Sequence, residues 1–151
     1  MSDFNKSSLS EIVNLIKSKK ASSLEVTNHF IKNVEKSKKL NSFITTCFEE
    51  SVKNAKNFDS KKNFDGLLSG VPLAVKDLFC TKNVKTTAGS KILENFTPTY
   101  ESTVTRNLWS EGAILLGKLN CDEFAMGSSN ETSYFGNTIN PVGKDLVPGG
   151  S

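Results

Sequence analysis

Three stretches of the sequence carry residue types and spacings that could do chemistry. The first is Val71-Pro72-Leu73-Ala74-Val75-Lys76-Asp77, where an apolar run ends on a lysine. A lysine at the end of a strand either snorkels to water or, once desolvated, serves as a general base. The base role needs a neutral amine. Bringing a lysine from its ordinary value of about 10.4 to near 7 costs about 4.6 kcal/mol, which burial can supply. A neighbouring carboxylate would oppose this by favouring the charged amine. Alternation along a strand turns Asp77 to the opposite face, so it need not touch the amine of Lys76. The second stretch is Pro148-Gly149-Gly150-Ser151. A glycine pair before serine is an ordinary turn signal, but it also lets a backbone approach a substrate and aim its amides at a developing oxyanion. A serine placed there could join a lysine in Ser-Lys nucleophilic catalysis. The third runs from Asn120 to Glu131, Asn-Cys-Asp-Glu-Phe-Ala-Met-Gly-Ser-Ser-Asn-Glu, and is too unusual for plain scaffolding.

Such residues must be held by elements, and the patterning indicates which. Ser8-Leu9-Ser10-Glu11 has the spacing of a capping box, and Leu9, Ile12, Val13 and Ile16 follow at helical intervals, so a short helix is expected before Lys17 to Lys20. Ser22-Ser23-Leu24-Glu25 repeats the signal, with a second amphipathic helix to about Lys38. Phe43 to Phe48 is β-branched and aromatic, a short strand, with a helix over 49–59 behind it. A polar loop over 60–69 leads into a buried strand over 70–76. A helix over 101–111 stops at Gly112, where a glycine cap is expected, and Ala113 to Leu116 forms another buried strand. Short apolar runs alternating with helices indicate an α/β layer structure with a largely parallel sheet.

Composition narrows the class. The chain has 151 residues, 36% of them hydrophobic and 23% charged, enough for a real core without disulfides or a structural metal. The net charge of +3 is carried almost wholly by lysine and mixed with acidic residues, which is a solvated surface rather than a nucleic-acid footprint. Cys47, Cys80 and Cys121 are odd in number and far apart, with no pair at metal-ligand spacing, as in a reduced, cytoplasmic protein. The single histidine, His29, sits in an apolar-periodic stretch and reads as a helix-surface residue, against a metal site or a histidine triad. Neither a long apolar run nor a signal-peptide pattern is present.

In their order, Gly70 to Asp77, Thr86-Thr87-Ala88-Gly89-Ser90, Gly112-Ala113 to Gly117-Lys118, and Pro148-Gly149-Gly150-Ser151 resemble the amidase signature family. Asp122 to Glu131 followed by Asn140-Pro141 is similar, within that family, to the A subunits of glutamyl/aspartyl-tRNA amidotransferases. The resemblance implies an α/β amidase signature fold with a mixed, largely parallel sheet flanked by helices. It also implies that residues 1–151 are the N-terminal portion of a single amidase domain, cut within the Gly-Gly-Ser signature. It implies a Ser-cisSer-Lys triad in which Lys76 is the general base and Ser151 the bridging serine. The acyl-forming serine lies further downstream in the family, so the chain by itself is expected to be inactive. Met126, Gly127, Ser128 and Ser129 match the loop lining the family's substrate pocket. The implied reaction is hydrolysis of glutamine to supply ammonia to partner B and C subunits, which use ATP and magnesium on Glu-tRNA(Gln) or Asp-tRNA(Asn). No metal and no cofactor is expected on this chain. Two alternatives stay open: a free-standing amidase of the same family, and a non-catalytic fragment or pseudogene product that at most docks onto partner subunits.

Overall fold

A computed structural model describes residues 4–61, 64–143 and 145–150. Its main elements are α1 (Leu9–Lys17), α2 (Ser23–Lys36), β1 (Phe43–Thr46), α3 (Phe48–Lys61), β2 (Pro72–Lys76), α4 (Thr103–Ser110) and β3 (Ile114–Leu119). The strands form a sheet in the order β1-β3-β2. Strand β1 runs antiparallel to β3. The Val71 carbonyl accepts from the Ile114 N–H, and the Asp77 N–H donates to the Leu119 carbonyl, so β2 and β3 run in the same direction. The helix α4 lies in the connection between them, as a crossover between parallel strands requires. The expected α/β class holds, and the sheet is mixed.

The chain divides into two compact units. The first comprises Met1–Glu35, Cys47–Leu73 and Asn107–Leu116. Here the apolar stripe of α1 buries Ile12 and Ile16 against Phe4, Ala21, Val26 and Val71, with Phe58 and Leu73 packed on this cluster. The capping box at α1 is complete: the Ser8 N–H donates to Glu11 Oε2 at 2.7 Å, and the Glu11 N–H donates to Ser8 Oγ at 3.3 Å. Those bonds, first from the Ser8 backbone and then from its hydroxyl, hold the Glu11 carboxyl below its ordinary value. The start of α2 is capped twice. Ser22 Oγ accepts from the Glu25 N–H, and Asp59 on α3 accepts from the N–H groups of Ser23 and Leu24 at 2.9 and 3.0 Å. A carboxylate at a helix N-terminus satisfies orphan donors and opposes the helix dipole. Gly70 has a φ of 73°, and a Cβ there would lie 2.6 Å from the Phe58 ring, so only glycine fits where the chain enters β2. Gly112 ends α4 as expected, with a φ of 87° and its N–H bonded to the Trp109 carbonyl. His29 is half-buried on α2, edge-on to Phe4 and Phe30, with Nε2 3.1 Å from Asn5 Oδ1. It packs the helix surface.

The second unit comprises Lys36–Thr46, Ala74–Arg106 and Gly117–Ser151. Much of it is loop, and side-chain amides organise it. Asn41 takes left-handed backbone with a φ of 54°, and its Nδ2 donates to the carbonyls of Phe135 and Gly136. The helix α2 stops at Lys36, short of the expected Lys38, and a short 3₁₀ turn, Lys38–Leu40, precedes Asn41. Asn120 Nδ2 donates to the carbonyls of Asn41 and Gly136, closing the same loop from β3. Among the described residues no helix is long and apolar enough to cross a membrane, and Cys47, Cys80 and Cys121 form no disulfide.

Candidate active site

The site is built around the end of β2, within the second unit. Strand alternation sends Lys76 and Asp77 to different surroundings. The Asp77 side chain is fully buried, 3.3 Å from Lys118 Nζ on β3, and both side chains are at 0% exposure. Asp77 Oδ2 also accepts from the N–H and hydroxyl of Thr87, at 2.8 and 2.5 Å. The Lys118 amine in turn donates to the Phe79 carbonyl at 2.9 Å and to Thr86 Oγ1 at 2.7 Å. A dehydrated ion pair persists when neighbours meet its hydrogen-bonding capacity. Here Thr87 serves Asp77 Oδ2, and Thr86 and the Phe79 carbonyl serve the amine, while Asp77 Oδ1 accepts no hydrogen bond among the described residues and faces the Lys118 charge. The negative charge next to Lys76 in sequence is therefore committed to Lys118. The Lys76 amine makes no hydrogen bond or ion pair among the described residues. Lys76 lines a cavity of about 320 Å³ together with Asn120, Cys121, Asn130, Gly149 and Gly150.

The glycine turn reaches this cavity by close approach. Gly149 has a φ of 99°, and a Cβ on Gly150 would collide with the Asp122 carboxyl and the Ser128 backbone. Larger residues could not bring the backbone so near. Ser151, the expected bridging serine, lies outside the described residues. The structure brings Lys76 and the glycine pair to one cavity, and it brings Ser128 against Gly150. Met126 to Ser129 do not line that cavity among the described residues. Met126 is 76% exposed, Gly127 packs on the Asp122 carboxyl, and the Ser129 hydroxyl donates to Glu131.

Two further features were not apparent from the sequence. One is the burial of Lys118: the strand expected to stop at Leu116 continues as β3 through Lys118 to Leu119. The hint available was a lysine inside an apolar run with an aspartate at the end of another. The other is Asp122, wholly buried, whose Oδ2 accepts from the Asn130 N–H at 3.0 Å and whose Oδ1 accepts from Thr132 Oγ1 at 3.0 Å. Burial alone would raise its carboxyl, but the hydrogen bonds from Asn130 and Thr132 and the positive charge of Lys76 outweigh it and hold it below the ordinary range. A carboxylate lowered in the folded state stabilises the fold above its unfolded value of about 4, and that contribution is lost as pH falls through the folded value. Urea midpoints measured from pH 5 down to about 2.5 are therefore expected to fall less steeply in Asp122→Asn than in the wild type. Equal slopes would show that Asp122 is not held as described. Cys121, which also lines the cavity, is different: burial first, then the charges of Asp77 and Asp122, push its thiol up. It stays protonated and acts as a small apolar wall.

Comparison with known proteins identifies the family. The A subunit of the glutamyl-tRNA(Gln) amidotransferase of Pelagibacter ubique (strain HTCC1062) is 66% identical over 151 residues, covering 100% of this chain and 31% of its own length. A crystal structure of the corresponding glutamyl-tRNA(Gln) amidotransferase chain from Thermotoga maritima superposes with a TM-score of 0.80 at 30% identity, over 100% of this chain and 31% of that one. A bacterial aryl acylamidase of the amidase signature family superposes with a TM-score of 0.87 at 29% identity, over 96% of this chain and 31% of that one. The chain thus spans about a third of the length of the relatives it matches. The profile of the family described as Amidase matches residues 25–151, and the chain belongs to that family.

Proposed function

We propose that this chain is part of the glutaminase subunit of a tRNA-dependent amidotransferase, with Lys76 as general base and Ser151 as the serine that relays a proton to it. The observation that carries this reading is the setting of Lys76, which faces the cavity of Gly149 and Gly150 while Lys118 holds the adjacent carboxylate of Asp77. The 66% identity to the A subunit of a glutamyl-tRNA(Gln) amidotransferase supports the choice of reaction. A serine hydroxyl attacks the side-chain amide carbon of glutamine, and its proton passes through the bridging serine to the lysine amine. The C–N bond then breaks, the lysine returns the proton to the departing nitrogen, and ammonia leaves. Water hydrolyses the glutamyl ester to glutamate, so glutamine and water yield glutamate and ammonia. Met126 to Ser129 border the glutamine site, a role that the close approach of the Ser128 backbone to Gly150 supports. Ammonia passes to partner B and C subunits in the cytoplasm, where ATP and magnesium, bound outside this chain, activate Glu-tRNA(Gln) or Asp-tRNA(Asn). The attacking serine is absent from the 151 residues, which alone release no ammonia.

The test uses the protein at the length of its curated relatives, assembled with its partner subunits. Ammonia release from glutamine is expected, together with ATP-dependent conversion of Glu-tRNA(Gln) or Asp-tRNA(Asn) to the amidated form. A folded assembly that hydrolyses small amides but neither glutamine nor, with ATP, amidates either tRNA would overturn the reading.

A further inference from the structure

Asp122 stands where three segments of the second unit meet. Its carboxylate accepts from the Asn130 N–H, the Thr132 hydroxyl at 3.0 Å and the Thr132 N–H at 3.4 Å. Gly127 and Gly150 press on it from two other segments, so closely that a methyl group on either would collide with the carboxyl. Between Asp122 and Asn130 the backbone passes through the left-handed region at Phe124, Ala125 and Asn130, with φ of 52°, 58° and 61°. Residues bearing a Cβ adopt that conformation only when their surroundings over-determine it. The Ala125 N–H returns to the Asp122 carbonyl and the Phe124 N–H to the Ala88 carbonyl at one end of this path, and the Asn130 N–H on the Asp122 carboxylate holds the other. The carboxylate's hydrogen bonds go to this scaffold, and the glycine turn packs against it.

We infer that Asp122 is a positioning residue of the site: its buried carboxylate, bonded to Asn130 and Thr132, shapes the 122–132 loop against which Gly150 packs, and so fixes the Gly149–Gly150 turn at the cavity that Lys76 lines. This rests on the reading of Lys76 as the base. Proton transfer to a fixed amine requires hydrogen-bond reach, and a displacement near 1 Å costs about 100-fold in rate. Asp122 acts through the glycine turn and touches no substrate.

The experiment follows initial rates of ammonia release against glutamine concentration in the full-length assembled amidotransferase. Wild type is compared with Asp122→Asn, Thr132→Val and Lys76→Ala, each with a thermal melting curve. Asp122→Asn places an amide N–H against the donors of Asn130 or Thr132, and is expected to lower kcat by about 30- to 100-fold with KM within about threefold. Thr132→Val removes one donor to the carboxylate from an exposed residue, and is expected to lower kcat by about fivefold with KM unchanged. An unchanged kcat in both, or a rise in KM alone, overturns the inference. Should Asp122→Asn fail to fold, Thr132→Val decides: the kcat loss supports the positioning role and full kcat overturns it. Lys76→Ala separates the two levels. If it keeps its kcat, the base reading falls and takes this inference with it; if it is inactive while the other two variants run at full rate, only the positioning role falls.

Discussion

In the full-length assembly, Lys76→Ala is expected to lower kcat for glutamine hydrolysis by about 1,000-fold, within the range a positioned acid–base group contributes. The expectation follows from where the side chain stands. Lys76 ends a strand, so its backbone is fixed by the β3 ladder, and it lines the cavity reached by Gly149 and Gly150. Removing the amine leaves the backbone groups of the glycine turn untouched. Glutamine should therefore still bind, with the loss confined to kcat. Lys76 is half-buried, so truncation should barely move the melting temperature. Ammonia release within a few-fold of wild type would remove Lys76 from the base role.

The other large effect concerns stability. Lys118→Ala is expected to destabilise the protein by about 3 to 5 kcal/mol, because it strands the Asp77 carboxylate in the interior without its counter-charge. The carboxylate would keep the two bonds from Thr87, while Thr86 and the Phe79 carbonyl would lose their partner. Combining Asp77→Leu with Lys118→Met removes both charges at similar volume. The pair should cost less than Lys118→Ala alone, since dehydrated ion pairs replaced together by apolar residues are often close to neutral. Urea unfolding of the three proteins provides the comparison. A loss below about 1 kcal/mol for Lys118→Ala would mean that the pair is hydrated and that Asp77 is free to turn toward Lys76.

What can be read from the sequence is local. The capping box at Ser8 and Glu11, the second cap at Ser22 and the glycine stop at Gly112 each depend on a few consecutive residues, and each stands in the structure where its pattern places it. Lys76 and the glycine turn are legible as a motif, and in the structure they line one cavity. Long-range pairings are not legible. The expected strand stops at Leu116, and nothing local marks Lys118 for burial; its partner Asp77 comes from the end of another strand. The antiparallel β1 is equally hidden, since pairing partners are not written in the alternation of one strand. Asp122 reads as one acid among several, because its hydrogen-bond donors come from a turn eight to ten residues further on. The Met126 to Ser129 segment is expected from the family resemblance to line the pocket. In the structure Gly127 packs on the Asp122 carboxyl and Ser128 on Gly150, contacts that no local pattern announces.

The most direct measurement is a crystal structure of the full-length assembly with glutamine bound, read at the Lys76 amine. The account expects Lys76 Nζ within about 2.7 to 3.2 Å of the Ser151 hydroxyl, with Asp77 still paired to Lys118. A Lys76 amine paired to the carboxylate of Asp77 or Asp122, with Ser151 out of its reach, would contradict it.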